Sequence, residues 1–289
     1  MRLWIELVVS GLITGGIYAL VAIGLNLQYG LMRILNVSHG EFLMLGAYLT
    51  YWAHLVTGLG PLAFLPAVLG GLFVVGLLIH RLCFRRLAET TAEVEAFEAR
   101  SLLVSFGLMF LVQNVALLIW GADLRGYQYL AERVSLLGLE FTQNRLVAFA
   151  GALGLSLGLI LILRTTLLGK AVRAVMQSPT GALLVGIDVR RLHPAVFGFG
   201  LALAGVAGAL LSMVFEISPS MGEPYTVTAL IVITLGGFGS ITGSLLGGLL
   251  LGVVEAMGMQ LTSPSLKMVL SYGVFILVLI TRPNGLFAR

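Results

Sequence analysis

Residues 7–29 read LVVSGLITGGIYALVAIGLNLQY, more than twenty residues without a charge. A run of about 20 mostly apolar residues is long enough for a helix to cross the hydrocarbon core of a bilayer. Further runs follow, roughly at 40–57, 61–80, 101–120, 144–163, 194–214, 225–240 and 244–281. The last divides near Ser263-Pro264, since proline lacks the amide that would continue the preceding turn. Nine segments result, and about eight crossings if one is re-entrant or merged. The stretch 225–240 is short and ends in Gly236-Gly237-Phe238-Gly239, which marks a broken or re-entrant helix. The expected fold is therefore all-α: one polytopic integral membrane domain over residues 1–289.

Composition supports this reading. Of the residues, 58% are hydrophobic and 10% charged, whereas soluble domains carry about 25% charged residues. A water-soluble protein would lack a polar skin, so lipid must solvate much of the outside. The 37 glycines suit close approach of membrane helices. The first run has no small-residue cleavage site and reads as a retained span rather than a leader. A single cysteine, Cys83, excludes an intrachain disulfide and a Cys-based zinc site. Nothing points to nucleic acid.

Basic residues set the expected orientation, because short cytoplasmic loops are enriched in them. With the C-terminus inside, the inner segments are 30–39, 81–100, 164–193 and 282–289. They hold Arg33, Arg81, Arg85, Arg86, Arg100, Arg164, Lys170, Arg173, Arg190, Arg191, Arg282 and Arg289, twelve of the 17 basic residues. The N-terminus and a loop at 121–143 then fall outside. Glu89, Glu93, Glu95 and Glu98 read as a solvated helix face.

Two polar stretches carry candidate chemistry. The first is LNVSHGEFLMLGAY at 35–48, where Asn36, Ser38, His39 and Glu41 interrupt the apolar run. Ser38-x-x-Glu41 has the spacing of a capping box, in which each side chain bonds the other residue's amide. The same residues, with Asn26, are candidates for a pathway or gate, since helix ends in transporters face substrate groups. The charge pattern places 36–41 toward the inner side, favouring a gate over first contact with substrate. Gln113 and Asn114 sit mid-span and act either as helix–helix glue or as pathway lining. Glu216 lies externally, as a polar loop residue or an entrance contact. No H-E-x-x-H is present and the other histidines lie on separate segments, so no metal site is expected.

The second stretch is LLGKAVRAVMQSPTGALLVGIDVRRLHP at 167–194. Leu168, Val172 and Val175 recur at helical spacing, with Lys170 and Arg173 on another face. Ser178 is a plausible N-cap with Pro179 at the first helical position, and Gly186 ends the second helix in a left-handed turn. Such an elbow either docks into a groove on a soluble partner or lies on anionic membrane lipid.

Four stretches resemble the LivH-like permease subunits of bacterial branched-chain amino acid ABC importers: 11–48, 169–192, 220–248 and RPNGLF at 282–287. Within the second, Gly181-Ala182-x-x-x-Gly186 followed by Ile187-Asp188-Val189 is similar to the coupling loop of importer permeases. Thr180-Gly181-Ala182 stands where such loops often carry an acidic residue and two alanines. The resemblance implies coupling to an ATPase through Arg173, Ser178, Pro179, Gly181, Ala182, Gly186 and Asp188. It also implies a second homologous permease, two cytoplasmic ATPases carrying ATP and magnesium, and an external solute-binding protein. The chain has no G-x-x-x-x-G-K-[ST] phosphate loop, so it is not expected to hydrolyse ATP itself. Leucine, isoleucine or valine is the expected cargo, with urea or short amides as alternatives. A stand-alone channel or carrier would favour charged mid-span residues, whereas those here are mostly neutral. An intramembrane enzyme is disfavoured, because Asp123 and Asp188 lie in loops on opposite sides.

Overall fold

A computed structural model describes residues 2–91, 93–136, 139–282 and 285–287. The chain is a bundle of twelve α-helices among these residues, with one short hairpin. Helix α1 (Arg2–Met32) leads into a non-helical stretch and α2 (His39–Thr57). The next span begins as a 3-10 turn at Pro61 and runs through α3 (Leu65–Ile79), a π-turn at His80–Phe84 and α4 (Arg85–Thr90). Helix α5 (Val94–Trp120) precedes the hairpin of β1 (Arg133–Leu136) and β2 (Leu139–Thr142), paired antiparallel from Arg133 opposite Thr142. Then follow α6 (Gln143–Thr165), α7 (Leu167–Gln177), α8 (Pro179–Leu184), α9 (Val189–Leu211), α10 (Gly222–Gly236), α11 (Ile241–Leu261) and α12 (Lys267–Thr281).

Six helical stretches are long and apolar enough to cross a bilayer: 3–32, 61–90, 94–120, 143–165, 189–211 and 241–261. Helix α12 is apolar but shorter. The expected inner loop at 81–100 is largely helix, because the spans on either side of it continue to Thr90 and resume at Val94. Glu89, Glu95 and Glu98 do lie on helices, Glu93 stands just before one as the extended N-cap of the next helix, and Arg85 pairs with Glu89 one turn on, at 3.0 Å. The break at Ser263-Pro264 forms as expected, between the end of α11 and a short 3-10 turn.

Helices α1 and α9 form the centre. In the apolar stretch of α9, 89% of residues are buried, against 17% for α5 on the periphery. Tight crossings explain the glycine content. A Cβ on Gly15 would lie 2.6 Å from the Gly248 carbonyl oxygen of α11, and one on Gly208 would collide with the backbone of Leu43 in α2. Backbones this close maximise dispersion contact where lipid supplies no hydrophobic drive between helices.

The segments grouped by charge do gather at one end of the bundle. Leu31, Met32, Arg33, Arg85, Pro179 and Arg190 line one cavity there, and the Met176 side chain reaches Gly30 and Gly239. The Leu286 amide donates to the Leu235 carbonyl at the same end. Pro283, Asn284 and Arg289 of the tail lie outside the described residues. At the other end, Arg125 bridges to Ile217 and Asn144 donates to the Met213 carbonyl.

Candidate functional site

Two regions stand out: an interrupted helix inside the bundle and an elbow at its end. The interruption begins at Arg33, whose φ of 56° turns the chain back after α1. Residues 33–38 then climb beside α1. The Asn36 side-chain amide donates to Gln28 Oε1 at 3.1 Å, and Gln28 Nε2 donates to the Phe197 carbonyl of α9. The Val37 amide donates to Ser105 of α5, whose hydroxyl is also within reach of the Leu35 carbonyl. His39 Nε2 lies 3.1 Å from the Val21 carbonyl, and the Gly40 amide donates to Thr226 of α10 at 2.8 Å. Open backbone at this depth survives because protein groups satisfy its donors and acceptors.

The depth departs from the charge-based expectation. Val21 stands about 16 Å along the axis from Met32, at 1.5 Å per residue. The start of α2 therefore sits well inside the bundle, not at its inner edge. The capping box is also absent. Ser38 donates its hydroxyl to Asn36 Oδ1 at 2.6 Å and caps no amide. Both oxygens of Glu41 are buried without a hydrogen-bond partner among the described residues, so that carboxylate does not reach back to Ser38.

Asn26 ties α1 to the second break. It donates to the Gly237 and Ser240 carbonyls and to the Ser244 hydroxyl, and it accepts from the Gly239 amide at 2.6 Å. Gly237 and Gly239 have φ of 93° and 79°, a conformation that glycine adopts without the Cβ penalty. The break after α10 is thus a turn held by one asparagine, and its glycines serve packing and geometry rather than phosphate.

The other candidates lie elsewhere. Asn114 is exposed and bonds the Phe110 carbonyl of its own helix. Gln113 is half-buried and joins no cluster. Glu216 is exposed at the opposite end, near Gly126. One network was not legible as a unit. Glu255 accepts from Tyr18 at 2.8 Å and from Ser271, and lies 3.5 Å from Lys267, which also donates to Tyr18. An acidic residue within an apolar run was the available signal, but its cation comes from beyond the α11–α12 break. In the connection between α5 and α6, Tyr127 bonds Ser212 at 2.8 Å, and burial pushes its phenol up to about 12, so it stays neutral at ordinary pH.

The elbow follows local rules closely. Thr166 accepts from the Gly169 amide and caps α7; Ser178 accepts from the Gly181 amide at 3.1 Å and caps α8, with Pro179 at its first position. Ala182 is buried and its carbonyl accepts from Ile187, while Gly186 turns the chain with φ of 82°. Asp188 caps α9 by accepting from the Arg191 amide and pairs with the Arg191 side chain at 2.9 Å. Arg173 donates to the Leu163 carbonyl at the end of α6, so it braces the elbow. The tip of α8 is bare: Leu183, Leu184 and Val185 are 57%, 84% and 75% exposed. No group of three or more potential ligands that could hold a metal occurs among the described residues.

Glycine-tight crossings, two internal helix breaks and an apolar elbow at one end characterise the bundle. The family model described as "Branched-chain amino acid transport system / permease component" matches residues 7–279. The chain belongs to that family. Among its relatives, the high-affinity branched-chain amino acid transport system permease protein BraD of Pseudomonas aeruginosa is 31% identical, over 99% of this chain and 96% of its own. LivH of Salmonella typhimurium is 30% identical, over 97% and 94%. The permease LivM of Escherichia coli is 27% identical, over 93% of this chain and 67% of its own. No solved structure matches. The protein is thus a multi-pass membrane permease, and the resemblance read from four short stretches extends along nearly the whole chain.

Proposed function

We propose that this permease is one of two related membrane subunits of an ATP-driven importer for leucine, isoleucine and valine. The observation that carries the reading is the family match across residues 7–279, supported by near-full-length similarity to permeases named for branched-chain amino acids. The similarity to LivM supports pairing with a second permease of the same family. Two ATPases, with their ATP and magnesium, would sit at the end carrying the elbow, which we assign to the cytoplasm because the basic loops gather there. The N-terminus then faces outward, where a solute-binding protein delivers the amino acid. This chain holds no phosphate loop and acts as the translocating subunit.

The elbow is the coupling element in this reading. Leu183, Leu184 and Val185 present apolar surface suited to a groove on a soluble partner. Ser178, Pro179, Gly181, Ala182, Gly186 and Asp188 hold that tip in shape, and Arg173 fastens α7 to α6. Closure of the ATPases on ATP would push the elbow. Its motion would pass through α9 to the breaks at 33–41 and 237–240. We assign Asn26, Asn36, Ser38, His39 and Glu41 to the moving gate, with Gln113, Asn114 and Glu216 outside it. Uptake of radiolabelled leucine into vesicles holding the complete importer tests the reading. ATP-dependent uptake is expected; uptake that proceeds equally without ATP would contradict it.

A further inference from the structure

Glu41 is the least compensated ionisable group in the interior. Its residue is 0% exposed, and neither carboxylate oxygen has a partner among the described residues. A charge buried at membrane depth is costly unless something of opposite sign meets it. No basic side chain pairs with Glu41 among the described residues. Lys267 pairs with Glu255 and Tyr18, Arg33 lies 3.8 Å from Glu98, and Arg125 donates to the Trp120 carbonyl.

The surroundings define what could meet Glu41. Helix α2 starts against α10: Gly40 touches Gly222 backbone to backbone, and Glu223, the next residue, is exposed. Two carboxylates therefore leave adjacent backbones, one sealed and one open. Met44 and Tyr48 follow Glu41 at three and seven residues, on the same helix face. They are fully buried and pack with Ala116 and Ile217, an apolar middle. Tyr48 carries a buried hydroxyl without a partner and stacks on Trp120 at 4.2 Å. Arg125, held on the Trp120 carbonyl, has a buried Nε without a partner. From the outer end inward, the order is a guanidinium, a hydroxyl, an apolar stretch and a carboxylate.

We propose that Glu41 receives the ammonium group of an apolar amino acid on its way through the bundle. A zwitterion with an aliphatic side chain matches this order: Arg125 and Tyr48 suit its carboxylate near the outer end, Met44 its side chain, and Glu41 its positive group at the helix break. The substrate's ammonium is the cation that the Glu41 site otherwise lacks. The inference rests on the importer reading above and adds to it the residue that senses the amino group.

The test has two parts, with the complete importer in its membrane. Leucine uptake by Glu41→Gln should fall at least tenfold, with Glu41→Asp recovering part of it, while both variants assemble at wild-type levels. In wild-type membranes, a hydrophobic carbodiimide should label Glu41, read by mass spectrometry. Excess leucine should slow that labelling severalfold. 4-Methylpentanoate, which is leucine without its ammonium, should not. Equal protection by both compounds, or none by leucine, overturns the proposal even if Glu41→Gln fails to assemble. If wild-type membranes take up no branched-chain amino acid, the importer reading falls first. This proposal then falls with it, whereas normal uptake without selective protection by leucine sinks this proposal alone.

Discussion

Two helices begin with a serine in chemically similar sequences, and they begin differently. At Ser178-Pro179 the serine caps the helix, as its sequence specifies. At Ser38-His39 the serine turns to Asn36, the Gly40 amide is taken by Thr226 from another helix, and Glu41 reaches nothing. The first helix is at the exposed end, where only near neighbours in sequence are available. The second lies among α1, α9 and α10, where packed neighbours outbid the local pattern. Ser240 and Asp188 cap their helices as Ser178 does. A local rule holds here where no other group takes the capping side chain or the amides it would cap.

The comparison can be broken most severely in the interior. Gly208→Leu would place a side chain against the backbone of Leu43, with no flexible atom able to yield. Loss of nearly all folded protein is expected, measured by recovery from gel filtration in detergent. Ala182→Pro at the elbow should do the reverse. It removes the Ala182 amide that donates to Ser178 at 2.9 Å, so ATP-driven uptake should drop more than tenfold while the protein stays in the membrane. Normal uptake by that variant would remove the elbow from the coupling mechanism.

Smaller effects sharpen the contrast. Asn26→Ala leaves the Gly239 amide of the second break without its partner and takes one of the donors from each of the Gly237 and Ser240 carbonyls, which should cost about 1–3 kcal/mol of stability. A lower thermal midpoint in detergent would register it. Ser178→Ala should cost about 1 kcal/mol, the usual worth of a cap. If Ser38→Ala lowered stability through a lost cap, the contrast between the two serines would fail. Its expected effect runs instead through Asn36 and its bond to Gln28.

The class of fold was legible because apolar runs of spanning length leave few alternatives, and the glycine and proline breaks at Gly237 and Pro264 appear where the residues put them. The elbow was legible nearly residue by residue, since capping depends on neighbours in the chain. Depth was not. The climb of residues 33–38 beside α1 depends on Gln28, Ser105 and Thr226, which lie far apart in sequence. For Gln113 and Asn114 helix–helix glue and pathway lining were equally open readings, because a polar residue in an apolar run can also bond its own helix and face outward, as Asn114 does. The Tyr18–Glu255–Lys267 network needed the three-dimensional return of α12 toward α1 to be seen.

The most direct test of the central claim is what this chain brings with it from its native membrane. A tagged copy, extracted gently and analysed by mass spectrometry, should carry a second permease of the family and a pair of ATPases. A homo-oligomer free of any ATPase would contradict the account. The apolar tip at Leu183–Val185 would then rest on lipid rather than on a motor.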